Sequence, residues 1–270
     1  MRLLGYPLPP ENGNTNGGAM PKADSRIDVY LIVNAKYHDT NFARLELLKL
    51  LAEQEDVWVH VASDFSDMET LSRCRTLVTY TCDLCPTLDQ QQALKTYLES
   101  GGRWLALHAT NALIDFVNGK ADTPDRAPLF MKLLGSRFVA HPAIAKFTVR
   151  IADPSHPLVA GLSEFEAEDE PYYCDYESGT HVLLEASYNQ PSMGYVRSDY
   201  GTDRDSHPQM YLHHTGAGEV LYLALGHCCG KYDLRPLAEV VPIHRGSWNN
   251  PVFYELLRRS IRWVIRQTAV

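Results

Sequence analysis

No window of the 270-residue chain approaches the roughly 18 consecutive apolar residues that a bilayer span requires, so a membrane partner is not expected. A basic stripe is missing too. Lys and Arg number 25 against 33 Asp and Glu, a net charge of −8, so phosphates would find no clustered cations and nucleic acid is excluded as a partner. The nearest thing to a cluster, Arg258, Arg259, Arg262 and Arg266, is spaced to lie mostly on the outward face of one C-terminal helix, which reads as a solvated face. Cysteine is scarce for a disulfide-built scaffold. Cys82 and Cys85 make a C-x-x-C, but Cys228 and Cys229 are adjacent and give no second half-site for structural zinc, so all six cysteines are expected as reduced thiols. Residues 1–26 lack the apolar core of a signal peptide and are dominated by Pro, Asn and Gly. A flexible N-terminal extension is expected there, and a cytoplasmic location for the protein.

The ordered chain is expected to start at Ile27. "IDVYLIVN" (27–34) is a near-continuous apolar run, the pattern of a strand buried on both faces. Phe42, Leu45, Leu48 and Leu51 follow at helical spacing, with Thr40 or Asn41 as cap. Strands are expected at 57–63 and 76–82. "TLDQQQALKTYLESGG" reads as a capped helix ending on Gly101-Gly102, and residues 103–109 form a fourth strand. Strand, helix, strand, strand, helix, strand is an α/β pattern with a parallel sheet, and ligands bind beyond the carboxyl ends of such strands. His108 and Asn34 fall at those ends.

From Phe138 the texture changes to runs rich in β-branched and aromatic residues: "FVAHPAIAKFTVRIAD", "HVLLEASY", "MGYVRSDY" and "QMYLHHTGAGEVLYLAL", the last with a hairpin signal at "TGAGE". Along that last run His213 and His214 alternate, so one ring faces in and the other out, and both are read as structural. The chain closes with an amphipathic helix whose Phe253, Leu256, Leu257, Ile261, Val264 and Ile265 share a face, with Asn250 as cap and Pro251 at its first position. Residues 27–270 read as one domain.

Five short motifs occur in order: "GGRWLALHA", "GSRFVAHP", "DPSHPLVAGLSEFEAEDEPYY", "GEVLYLALGH" and "WNNPVFYELLRRSIRWV". Together they resemble the trehalose-utilisation (ThuA-like) family over residues 27–267, and that family is similar in fold to the class I glutamine amidotransferases. The resemblance implies a flavodoxin-like three-layer sandwich with a mainly parallel central sheet and an added antiparallel part. In class I amidotransferases the corresponding strand ends in a nucleophilic Cys on a sharp turn. Here His108 takes that position between Leu107 and Ala109, so Cys-dependent glutamine hydrolysis is not expected.

An imidazole so placed serves as general base, proton donor or metal ligand. Its companions are His141, held extended by Pro142, Glu170 beside Pro171, and His227 at the end of "LALGH". A His near position 38 is common in the family pattern, which places His38 at the same mouth. His108, His141 and Glu170 are therefore the candidate acid–base set, and His38, Tyr172, Tyr173, His227 and Trp248 the candidate substrate contacts. Aromatic faces stack on sugar rings while carboxylates and imidazoles bond hydroxyls. With the resemblance, this points to an enzyme acting on a small-molecule carbohydrate or keto-glycoside. Two alternatives stay open: a non-catalytic sugar-binding or regulatory protein, and a metal-dependent hydrolase with Zn or Fe on His108, His141 and His227. No certain cofactor follows from the residues. A homodimer through the β-rich half is compatible with them. Residues 228–247 depart from the family pattern as an insertion beside His227, expected to form a lid or an interface element.

Overall fold

The computed structural model describes residues 26–265, so the expected N-terminal extension lies, apart from Arg26, outside the described residues, as does Arg266. The first half alternates strand and helix: β1 (Ile27–Ala35), α1 (Thr40–Ala52), β2 (Val57–Ala62), α2 (Met68–Arg73), β3 (Thr76–Cys82), α3 (Leu88–Glu99) and β4 (Arg103–Leu107). A short hairpin, β5 (Asp115–Val117) and β6 (Lys120–Asp122), leads to α4 (Pro128–Leu134) and β7 (Ser136–Ala140). Then come β8 (Ala145–Ile151), β9 (Phe165–Asp169), β10 (Tyr173–Tyr176), β11 (His181–Ala186), β12 (His207–Thr215), β13 (Gly218–Leu223) and α5 (Pro251–Ile265).

Nine strands form one sheet in the order β2-β1-β3-β4-β13-β12-β11-β8-β9. The first five run parallel and the rest join antiparallel. The parallel order is that of flavodoxin-like sheets, with its crevice beyond the carboxyl ends of the strands. Every residue of β3 is buried, as a central strand covered on both faces must be. One apolar core joins the sheet to α1 and α5, and a second joins its other face to α2, α3 and α4.

Local chemistry sets the elements. Thr87 and Gln90 cap α3 reciprocally, the Thr87 amide donating to Gln90 Oε1 at 2.9 Å and the Gln90 amide to Thr87 Oγ1 at 3.3 Å. Gly101 ends it at φ +95°, as the Gly-Gly signal leads one to expect. The six apolar residues picked out on α5 are all buried.

Five expectations need correction. The cap of α1 is Asp39, whose carboxylate accepts from the Phe42 amide at 3.1 Å. Its buried face is Ala43, Leu47, Leu50 and Leu51, with Leu45 exposed, because small Ala43 lets the helix approach the sheet along that stripe. Helix α2 lies between β2 and β3, where no helix was expected; it is six residues long and held by an Asp67 cap rather than by an apolar stripe. "MGYVRSDY" forms turns instead of a strand, its backbone folding on itself through bonds such as Tyr195 N–H to Ser192 O. Asn34 points outward.

Candidate functional site

Four consecutive parallel strands deliver their ends to one place. After β1 the chain turns through Tyr37 and His38; β3 ends on Cys82; β4 runs into His108; and β13 leads through Gly226 to His227. From the antiparallel side, Glu170 and Tyr172 follow β9 and His141 follows β7. Neither half of the chain holds the site alone.

His108 sits at φ +48°, in the left-handed region that a non-glycine residue adopts only when its surroundings hold it there. Tyr222 donates its hydroxyl to the His108 carbonyl, and the ring is fully buried. His108 Nδ1–H donates to Ala224 O at 2.8 Å, which fixes the tautomer and turns Nε2 toward the site. His38 is held likewise by an Nδ1–H bond to Lys36 O at 2.8 Å, and His141 by one to Pro142 O at 2.7 Å. Three histidines thus point Nε2 inward from backbone-anchored rings.

The inward nitrogens meet around one carboxylate. His108 Nε2 lies 3.0 Å from His38 Nε2, 3.0 Å from Tyr172 Oη and 3.4 Å from Glu170 Oε2. Glu170 Oε1 is 3.1 Å from His227 Nδ1 and 3.5 Å from His141 Nε2. The His227 contact has ion-pair distance without hydrogen-bond geometry. Burial works to raise the Glu170 carboxyl, but the His141 and His227 rings outweigh it and hold it well below the usual carboxylate range. Burial, then His108 and His227, push His38 well below the usual imidazole range, so its ring is neutral. His227 goes the other way: burial opposes its charge, yet Glu170 raises it.

Above this floor opens a cavity of about 560 Å³. His38, His141, Glu170, Tyr172 and His227 line its bottom, while Tyr37, Ile114, Phe116, Phe138, Ile144 and Tyr195 form much of the wall. The 228–247 insertion adds Leu234, Leu237, Val241, Pro242 and Ile243. That segment is closed by paired backbone bonds, Cys229 N–H to His244 O at 2.8 Å and His244 N–H to Cys229 O at 2.9 Å. It is tied to α1 by Arg245 and Asp39, 2.9 Å apart.

The structure therefore brings His38, His108, His141, Glu170, Tyr172 and His227 together. His108 stands behind the floor, touching His38, Tyr172 and Glu170 without lining the cavity, and its nearest histidine is His38 rather than His141. Tyr173 is not brought to the pocket: its ring packs on Tyr188 and His207, and its hydroxyl donates to Gln190 O at 2.9 Å. Trp248 is buried beneath the site, donating Nε1–H to Gly226 O at 2.7 Å. The vicinal thiols Cys228 and Cys229 are buried and pushed up by burial to about 12 and about 11, which leaves them protonated.

Of the three acids Glu168, Asp169 and Glu170 in "EAEDEPYY", the sequence favours Glu170 for the site, yet Asp169 organises it from below. Fully buried, it accepts from the amides of Glu170 (2.9 Å), Gly226 (2.8 Å) and His227 (3.0 Å) and from Ser247 Oγ (2.6 Å). It thereby sets two floor residues at once. The alternation along β9, with Ala167 and Asp169 in and Glu166 and Glu168 out, is the signal that marks it.

The family described as trehalose utilisation (ThuA) matches residues 29–241. The chain belongs to the ThuA family. No curated protein matches it. A ThuA-like protein from Bacteroides uniformis has 20% identity, with 94% of this chain and 97% of that one covered and a TM-score of 0.63. One from Parabacteroides merdae has 17% identity, 91% and 93% coverage and a TM-score of 0.59. A β-galactosidase from Rahnella sp. R3 shares the fold over 88% of this chain but only 31% of its own, at 14% identity and a TM-score of 0.55. At these identities the likeness is one of fold. Among the described residues, no helix is long and apolar enough to cross a membrane.

Proposed function

We propose that this ThuA-family protein is a cytoplasmic enzyme of carbohydrate metabolism that takes a keto-glycoside or related sugar derivative, polar end down, onto the His/Glu floor and transfers a proton there. The observation that carries the reading is His141. Its Nδ1–H is committed to Pro142 O, so the basic Nε2 is presented at the cavity, 3.5 Å from Glu170. An imidazole fixed in that way, with Nε2 unprotonated, is a proton acceptor for a carbon or hydroxyl next to a carbonyl. Glu170, held anionic among the imidazoles, places Oε1 3.5 Å from the nitrogen that would take the proton. Tyr172 Oη bonds His108 and fixes the back of the floor.

The walls support a reading of the rest of the substrate. Above the floor they are built largely of Ile, Leu, Val, Phe and Tyr, with Ile243 63% and Leu237 56% exposed at the rim. The hydroxyls of an unsubstituted sugar would find few partners there, whereas an apolar substituent on the sugar would be desolvated. The substrate class that fits is a sugar derivative carrying an aryl or alkyl group.

The test is a screen of glycosides and 3-keto-glycosides with and without such groups, using wild type and His141→Gln. A general base supplies on the order of 10²- to 10⁴-fold, so turnover should fall by at least about 100-fold in the variant. A ligand that raises the melting temperature saturably but yields no product in long incubation would replace the enzyme with a binding protein.

A further inference from the structure

We infer that His38, His108, Glu170 and His227 bind one divalent transition-metal ion of the zinc or ferrous class, an inference resting on the reading of this floor as the reactive end of the pocket. One donor atom from each of the four lies within 4.8 Å of the others.

Compactness alone would be weak support; the tautomers carry more. His38 and His108 each spend Nδ1–H on a backbone carbonyl, Lys36 O and Ala224 O, both at 2.8 Å. Metal-bound histidines are held in this way, with the outer nitrogen donating to a carbonyl or carboxylate. The two Nε2 lone pairs then confront each other at 3.0 Å. The Tyr172 hydroxyl, 3.0 Å from His108 Nε2, is the one donor beside this pair and leaves the His38 lone pair unanswered; a proton on one ring or a metal ion facing both would answer it. Two nitrogens each about 2.1 Å from one ion stand about 3.0 Å apart at a right angle and about 3.4 Å apart at the tetrahedral angle of zinc, so the pair would take zinc by widening about 0.4 Å.

The other two members are placed independently. Glu170 directs Oε2 at His108 (3.4 Å) and Oε1 at His227 (3.1 Å). His227 Nδ1 is buried and has no hydrogen-bond partner, an orphan that coordination would satisfy. Asp169 supports both by accepting their backbone amides. Three imidazoles and a carboxylate suit Zn²⁺ or Fe²⁺, while Ca²⁺ and Mg²⁺ want oxygen. His38, Glu170 and His227 line the cavity, so an ion held among them keeps a face toward the substrate. His141 lies outside the four and stays available as the base.

The ligands come from the ends of β1, β4, β9 and β13, which is why no pair of them shows a metal-binding spacing in the sequence.

The experiment uses untagged full-length protein, stripped with chelator and titrated separately with Zn²⁺ and with Co²⁺. Calorimetry, elemental analysis, the visible Co²⁺ spectrum and the melting temperature are read. The expected result is one ion per chain, visible d–d bands from an imidazole- and carboxylate-bound Co²⁺, and a saturable rise in melting temperature. His38→Gln, His227→Gln and Glu170→Gln should each weaken binding by on the order of 100-fold or more, while His141→Gln stays within about threefold. Circular dichroism identifies any variant that fails to fold, and the wild-type Co²⁺ spectrum decides without the variants. A folded wild type with no stoichiometric uptake and only the aqua-ion spectrum overturns the inference, as does uptake unchanged in the three folded ligand variants or lost in a folded His141→Gln. None of these readouts needs a substrate. Ion binding without turnover of any sugar sinks only the proposed function. Turnover of a keto-glycoside by chelator-treated protein that binds no ion sinks only the metal.

Discussion

Ser247 donates its hydroxyl to Asp169 across 2.6 Å, and this single bond joins the end of the 228–247 insertion to the carboxylate that positions Glu170 and His227. Hydrogen bonds to a buried charged group contribute about 1.5–3 kcal/mol. Ser247→Ala should therefore lower stability in denaturant by about 2 kcal/mol. Asp169→Asn should cost more, because an amide that replaces a carboxylate oxygen sets its own N–H groups against the donors already there. A Ser247→Ala protein as stable as wild type would show that water replaces the hydroxyl.

Gly226→Ala should be destabilising. Gly226 sits at φ +122°, and an added Cβ would stand 3.2 Å from Phe253 Cζ. Its carbonyl accepts from Tyr80 Oη (2.9 Å) and Trp248 Nε1 (2.7 Å), so strain at this turn reaches three buried aromatics. The expected loss is about 1–3 kcal/mol. Thermal melts and tryptophan fluorescence would show it, and an unchanged melting temperature would refute it.

A pH dependence follows from His207. Its ring is buried, stacked on Tyr188, and its Nε2–H donates to Tyr188 O at 3.1 Å, while Nδ1 has no partner. Burial lowers it to about 4, against about 6.5 in the unfolded chain. Between those values the unfolded chain binds the proton and the folded one does not, so stability falls as pH drops from about 6.5 to 4 and then levels off. The contribution, discounted for partial solvent screening, is about 2 kcal/mol. His207→Gln should lose that part of the slope when urea midpoints are compared at pH 7 and pH 4.5; identical slopes would count against it.

On the proposed function, the apolar residues of the insertion should act on substrate binding rather than on the chemistry. Replacing Leu237 and Ile243 with Ser removes apolar wall without touching the floor. For a glycoside with an aryl group KM should rise about tenfold or more, since each lost apolar contact is worth roughly 1–3 kcal/mol, while kcat stays near wild type. Equal effects on substituted and unsubstituted sugars would mean that the wall does not contact the apolar group.

Much of this molecule can be read directly from the chain. The parallel strands announce themselves as unbroken apolar runs, α3 by its cap and Gly-Gly end, and α5 by its stripe. The position of His108 follows from a strand end alone, whereas His227 lies four residues beyond β13, on the turn through Gly226. What is not legible depends on distant packing. Asp169 looks like one acid among several in "EAEDE" until β9 is seen to alternate, and Tyr173 and Trp248 look like Tyr172 until the fold turns them into the core. Nothing local tells that His38, 70 positions from His108, closes to 3.0 Å of it. Helix α2 was hidden because a six-residue helix holds by its cap rather than by periodicity.

The paired backbone bonds of Cys229 and His244 give the insertion one anchoring point for both its ends. Between them runs a span that shapes the wall and supplies none of the converging imidazoles. Such a span can be lengthened, shortened or exchanged as a unit without removing any of the floor residues. On the proposed reading, the wall and the floor lie on different stretches of the chain, so a loop grafted here is expected to change the wall without moving the converging imidazoles.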